Sequence, residues 1–161
     1  MPERTLILLR HAKSDWSVDE PDDRRPLAKR GLRQAPEAGQ WLAGNVDRID
    51  LAVTSPAVRA RTTWELASAE LESSPETVVD DRVYAATSGQ LLHVVQQLDD
   101  AHRTVVLVGH NPGLEDLVNR LTGAWVEMVT SAIAVIDLPG GWAGAGEEPA
   151  ATMRTSGRPP S

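Results

Sequence analysis

Short apolar runs alternate with longer stretches of helical periodicity along this chain. Thr5 to Leu9 is a continuous apolar run, the signature of a strand covered on both faces. Arg10 to Pro26 is polar and rich in Asp, and reads as a loop. Leu27 to Leu42 reads as a helix with Leu32, Ala35, Gly39 and Leu42 on one side. Pro36 lies inside it, which predicts a kink or a late helix start. Asp50 to Thr54 reads as a second buried strand. Ser55 and Pro56 then predict an N-cap followed by proline at the first helical position, with the helix reaching about Leu71.

Glu76 to Val79 fits a short strand. Ser88 opens a helix with Leu91, Leu92, Val95 and Leu98 at helical spacing. Thr104 to Val108 is the strongest strand signal, followed by a tight loop over Gly109 to Gly113 and a short helix over Leu114 to Leu121. Ala132 to Leu138 is the last predicted strand. Strands alternating with helices predict an α/β fold, a single three-layer domain with a mostly parallel central sheet flanked by helices. Crossovers in such a sheet are right-handed. The domain is expected to span residues 1–138. The segment 139–161, rich in Gly and Pro, reads as a poorly ordered tail or one ordered by packing against a neighbour. No internal repeat is present.

Composition narrows the partners. The 161 residues suffice for one core. The net charge of -7 disfavours nucleic acid and anionic membranes as partners. Any bound anion must therefore meet a local basic site. The absence of cysteine excludes disulfides, thiolate metal sites and cysteine nucleophiles, and fits a cytoplasmic protein. No export signal is read at the N-terminus, and no apolar stretch approaches the roughly 20 residues of a membrane helix.

Polar clusters follow three of the predicted buried strands: Arg10 and His11, then Ser55 to Arg61, then His110 and Asn111. In open α/β sheets the ligand crevice lies at the carboxyl ends of the strands. Arg10, His11, Arg59 and His110 are therefore expected at one rim. Two Arg and two His there form a basic pocket suited to a phosphoryl group, with the helix start near Pro56 adding a favourable dipole.

The stretch from Leu9 to Ser14 (LRHAKS) resembles the first signature of the histidine phosphatase superfamily, which includes phosphoglycerate mutases and acid phosphatases. Ser55 to Thr62 (SPAVRART) resembles the second, and Val108 to Pro112 (VGHNP) the third. Together with Asp23 to Leu27, Arg30-Gly31 and the short length, they are most similar to the SixA-type phosphohistidine phosphatase branch, over roughly positions 4 to 138.

The resemblance implies a phosphoglycerate mutase-like fold and a covalent mechanism. His11 attacks phosphorus in line, and water hydrolyses the resulting phosphohistidine enzyme. His110 is the second catalytic histidine, Arg10 and Arg59 bind phosphate, and no metal or other cofactor is needed. Many members carry Asn where this chain has Ser17, so Ser17 is a candidate phosphate contact. No counterpart of the acid that protonates the leaving oxygen is evident, with Asp15, Asp81 and Glu115 as candidates. A phosphohistidine P–N bond releases imidazole, whose conjugate acid has a pKa of about 6.5. Loss of a general acid, worth about 10²- to 10⁴-fold, therefore harms that substrate least. The expected substrate is phosphohistidine in a protein. The alternatives are a small-molecule phosphomonoesterase and a weakly active module that binds phosphate or phosphoprotein.

Rival readings attach to several residues. Arg61 competes with Arg59, and residues two apart on a helix do not share a face. His93 and His102 lack motif context, and the histidine spacing does not suit a metal site. The charged run from Asp19 to Arg25 reads as a solvated loop, with shaping of the pocket mouth as the alternative. Trp16 is a candidate wall of the site, and Trp125 and Trp142 are candidates for a dimer contact.

Overall fold

Alternation within each apolar run explains why these strands are apolar on both faces. In the computed structural model, which describes residues 3–147 and 151–159, β1 (Arg4–Arg10) points Leu6 and Leu8 into one core and Ile7 and Leu9 into another. The same division holds for β2 (Leu51–Thr54), with Leu51 and Val53 opposite Ala52. In β4 (Thr104–Gly109) it sets Val105 and Leu107 opposite Val106 and Val108. A strand buried on both faces needs a helical layer on each, and both layers are present.

On one face lie α1 (Lys29–Asn45) and α2 (Val58–Ser68), which bring Ala38, Leu42, Ala60, Trp64 and Ala67 to the sheet. On the other lie α3 (Ser88–Gln96) and α4 (Gly113–Thr122), which bring Leu91, Val95, Leu114, Leu117 and Leu121. The strand order is β3-β2-β4-β1-β5-β6, with β3 being Glu76–Val79, β5 Ile133–Leu138 and β6 Thr152–Gly157. The first four strands in that order are mutually parallel, and β5 and β6 are antiparallel additions. The α/β three-layer expectation is met, with a mixed but mostly parallel sheet.

Several boundaries differ from the sequence reading. α1 begins at Lys29 and runs through Pro36. Pro36 lacks the N–H that would bond the carbonyl of Leu32, and Leu32 is 48% exposed, so water can serve that group. Leu32 therefore lies off the buried stripe, which comprises Gly31, Gln34, Ala35, Ala38, Gly39 and Leu42. α2 starts two residues later than the Ser-Pro signal implies, with Ala57 at the cap position, and it ends at Ser68. α3, by contrast, opens at Ser88 as expected, capped by Thr87 through a reciprocal pair of bonds with Gln90.

The segment after 138 carries more structure than its composition suggests. β6 pairs antiparallel with β5 from Ile133↔Gly157 to Asp137↔Thr152. Trp142 is fully buried, and its indole N–H donates to the His102 carbonyl at 2.8 Å. Trp142 thus belongs to the core and not to a dimer contact. Gly and Pro masked this region because β6 is an edge strand whose side chains are mostly exposed, so its pairing leaves little apolar signal. Trp125 is 74% exposed on the loop between α4 and β5.

Candidate active site

The loop leaving β1 is held from three sides. The Ala12 N–H donates to Thr63 Oγ1 at 2.9 Å, and that hydroxyl donates to the Arg59 carbonyl at 2.7 Å, which ties the loop to the first turns of α2. The Lys13 N–H donates to Gln34 Oε1 at 3.0 Å, and the Lys13 carbonyl accepts from Ala28 N–H at 2.9 Å. Gly31 permits this close seat of α1, since a Cβ there would lie 2.2 Å from the Lys13 oxygen. Ser131, at φ 64°, donates its N–H to the carbonyls of Arg10 and His11 at 3.1 and 3.0 Å. Backbone fixed in this way orients Arg10, the last residue of β1, and His11 after it.

Arg10 and His11 at the end of β1, Arg59 on α2 and His110 after β4 converge on one place. The rings of His11 and His110 lie 5.2 Å apart at 50°, and both histidines feel the charges of Arg10 and Arg59. His11 Nδ1 donates to the Ala12 carbonyl at 2.8 Å, which leaves Nε2 as the nitrogen with the free lone pair. The Arg10 guanidinium donates to the Met128 carbonyl at 3.1 Å, and Asn111 donates to the same oxygen at 2.6 Å. Arg10 Nε and His110 Nδ1 are buried and find no partner among the described residues. Such atoms call for a ligand or another explanation.

Burial sets the electrostatics. It lowers His11 to a pKa of about 4, with Arg59 and Arg10 adding to the effect, and the Ala12 carbonyl and Asp22 opposing it. Burial also lowers His110 to about 3, helped by His11 and Arg59. Arg10 is lowered mainly by burial, against the support of Glu115. Both rings are therefore neutral at neutral pH.

A stability prediction follows from those values. The unfolded chain takes up protons on these histidines near 6.5, whereas the folded chain resists until about 4 and about 3. The stability owed to the neutral rings is whole above pH 6.5 and is lost as pH falls through that window. The urea midpoint of the wild-type chain is expected to fall between pH 6.5 and pH 4, and His11→Gln with His110→Gln should flatten that slope. An unaltered slope in the double variant would contradict the assignment.

The sequence candidates separate clearly. Arg59 points inward, and its guanidinium donates to the Asp22 carbonyl at 2.6 Å and to Asp22 Oδ2 at 3.0 Å. Arg61 is exposed and donates to the Pro56 carbonyl. Ser17 and Asp15 engage each other on an exposed loop, with the Ser17 hydroxyl on Asp15 Oδ1. Asp81 sits exposed in the turn after β3. Glu115 accepts from the Met128 N–H at 2.7 Å and so braces the segment that Arg10 grips. Trp16 is 66% exposed, with the Arg25 guanidinium 4.1 Å over its ring.

Three residues escaped the sequence reading. Asp22 belongs to the charged run taken chiefly as a solvated loop, yet its carboxylate lies on Arg59. The Tyr84 hydroxyl donates to that same carboxylate. These bonds, Tyr84 first and then Arg59, hold Asp22 below the usual carboxylate range. Tyr84 also meets His110 edge-on at 5.6 Å. Ser55, read as a helix cap, lies 2.7 Å from His110 through its hydroxyl. The one sequence signal that reaches Asp22 is the charged run from Asp19 to Arg25, with shaping of the pocket mouth as its alternative reading. Among the described residues, no group of three or more His, Cys, Asp or Glu side chains could hold a metal ion.

Comparison with known proteins agrees with this geometry. Residues 6–84 match the model of the histidine phosphatase superfamily, branch 1. A protein of Mycobacterium tuberculosis strain H37Rv, itself uncharacterised, is 34% identical over 146 residues, spanning 84% of this chain and 90% of the relative. A 2,3-bisphosphoglycerate-dependent phosphoglycerate mutase of Methylorubrum populi is 34% identical over 95 residues, covering 54% of this chain and 45% of that enzyme. Among solved structures, a chain proposed to be the phosphohistidine phosphatase SixA of Nakamurella multipartitia superposes with a TM-score of 0.87 at 28% identity, covering 100% of this chain and 99% of that one. The protein histidine phosphatase SixA complexed with tungstate shares the fold, with a TM-score of 0.82 at 24% identity over 96% of this chain and 97% of that one. The motifs, the sheet order and the relatives converge, and the chain belongs to the histidine phosphatase superfamily.

Proposed function

We propose that the chain is a phosphatase that uses His11 as nucleophile, passes through a covalent phosphohistidine intermediate and acts on phosphohistidine in a protein. The observation that carries this reading is the pairing of a neutral His11, whose Nε2 is not engaged by the Ala12 carbonyl, with buried nitrogens on Arg10 and His110 that have no partner among the described residues. A phosphoryl group needs both an attacking lone pair and donors for its oxygens.

In the first step Nε2 of His11 attacks phosphorus, and the bond from phosphorus to the substrate imidazole breaks. The ring is protonated on its other nitrogen before the bond breaks, so the electron pair stays on the departing nitrogen and neutral imidazole leaves. In the second step water attacks phosphorus, the P–Nε2 bond breaks, and inorganic phosphate and neutral His11 result. Arg10 and Arg59 supply the positive charge that the equatorial oxygens require, with no metal in the scheme.

The leaving group decides between substrates. The carboxylate on Arg59, Asp22, is held ionised and has no proton to give at neutral pH. Glu115 is engaged by the Met128 N–H. An alkoxide leaving group needs a donor, whereas imidazole does not. Composition supports the same setting: an acidic chain without cysteine, placed in the cytoplasm with neither nucleic acid nor membrane as partner. Among the described residues no helix is long and apolar enough to cross a membrane.

The test compares rates on a phosphorylated histidine protein and on a simple alkyl phosphate. The phosphohistidine substrate is expected to react faster by about 10²-fold or more, the range of a general acid. Equal rates would favour a phosphomonoesterase, and binding without turnover of either would favour a phosphate-binding module.

A further inference from the structure

Ser55 follows β2 fully buried, and its Oγ has two hydrogen-bond neighbours among the described residues. The Ala57 N–H lies 3.1 Å away and His110 Nε2 lies 2.7 Å away. A backbone N–H only donates, so the oxygen accepts there. The hydroxyl proton then has Nε2 as its acceptor, since no other bond of this hydroxyl exists among the described residues. On the far side of the ring, Nδ1 is buried without a partner.

Two tautomers of a neutral His110 can be compared by their hydrogen bonds. With the proton on Nε2, the ring donates to Ser55, the Ser55 proton is orphaned, and Nδ1 presents a buried lone pair to an incoming anion. With the proton on Nδ1, Ser55 donates to Nε2 and both of its bonds are made. The Nδ1–H then remains as a donor that a phosphoryl oxygen can satisfy. Only the second arrangement leaves no buried group mismatched once an anion is bound. His11 at 5.2 Å and the edge of Tyr84 at 5.6 Å flank the ring.

We infer that Ser55 is a positioning residue that holds His110 as the neutral Nδ1–H tautomer, so that His110 serves as a hydrogen-bond donor to phosphate and not as an acid. This rests on the proposed role of His110 at the phosphoryl group. The low pKa of about 3 is in keeping with it, because a second proton is not held at neutral pH. His11 and His110 then carry the same tautomer and present opposite sides. The nucleophile offers its lone pair, with Nδ1–H tied to the Ala12 carbonyl, and His110 offers its proton, with Nε2 capped by Ser55.

The test is long-range ¹H–¹⁵N NMR of the full chain with labelled histidine at neutral pH, with His110→Gln used to assign the signal. The wild-type spectrum is expected to show the proton on Nδ1 of His110. Ser55→Ala should shift the ring towards the Nε2–H form and lower kcat by about 10- to 100-fold, the factor a strong hydrogen bond commands. Ser55→Thr, which keeps the hydroxyl, should restore both signals. If its added methyl prevents folding, the wild-type and Ser55→Ala spectra still decide. A proton on Nε2 in the wild type, or an unchanged tautomer in Ser55→Ala, overturns the inference. A wild-type chain with the Nδ1–H spectrum and no turnover of any phosphorylated substrate would support the tautomer and count against the phosphatase reading alone.

Discussion

His11→Ala is expected to lower phosphatase turnover by about 10⁴-fold or more while leaving the fold intact. Removing a covalent nucleophile eliminates the pathway and does not merely weaken it. The backbone around His11 does not depend on the imidazole: Ala12 N–H is held by Thr63, Lys13 by Gln34 and Ala28, and the His11 carbonyl by Ser131. Among the described residues the ring makes one hydrogen bond, to the adjacent carbonyl of Ala12. Its loss also removes a group that resists protonation, so the variant should hold its stability better in acid than the wild type. Steady-state kinetics on the preferred substrate, with circular dichroism on the same samples, checks both halves. Residual turnover within tenfold of the wild type would place the nucleophile elsewhere.

The second large effect is expected at Arg59. Arg59→Ala should lower kcat by about 10²- to 10³-fold, the loss typical of removing a preorganised donor from developing charge. Arg59→Lys should recover only part of it, because an ammonium supplies a point charge without the planar fork that fits two phosphoryl oxygens. The fold should tolerate both changes. The partner left behind, Asp22, has a side chain 52% exposed, so water can solvate its carboxylate. Arg61→Ala is the control, and being exposed on the same helix it should change kcat by less than about twofold. A loss at Arg61 as large as that at Arg59 would mean that the helix face had been misread.

The apolar runs made the fold legible. Leu6 to Leu9 and Val105 to Val108 alternate between two cores, and only a sheet with helices on both faces can bury them so completely. Arg10, His11, Arg59 and His110 were legible because each follows a strand and carries a family signature. Other features were hidden for identifiable reasons. Ser55 sits where a helix cap is expected, and nothing local shows that its hydroxyl turns to a histidine 55 residues away. Asp22 lies among like charges on a loop, and only tertiary structure distinguishes the one that meets Arg59. Tyr84 reaches the site across 62 residues of sequence to Asp22. β6 is an exposed edge strand that owes its pairing to β5, so its own residues carry little pattern. Leu32 misled for the opposite reason, since an apolar side chain on a helix is not obliged to be buried.

The covalent intermediate is the most direct test of the mechanism. The full chain, incubated with a labelled phosphodonor and quenched rapidly, should carry acid-labile, base-stable label. Peptide mapping should place that label on His11, and His11→Ala should carry none. Turnover of phosphohistidine protein by a chain that never acquires such label, or label that persists in His11→Ala, would contradict a mechanism in which His11 takes the phosphoryl group.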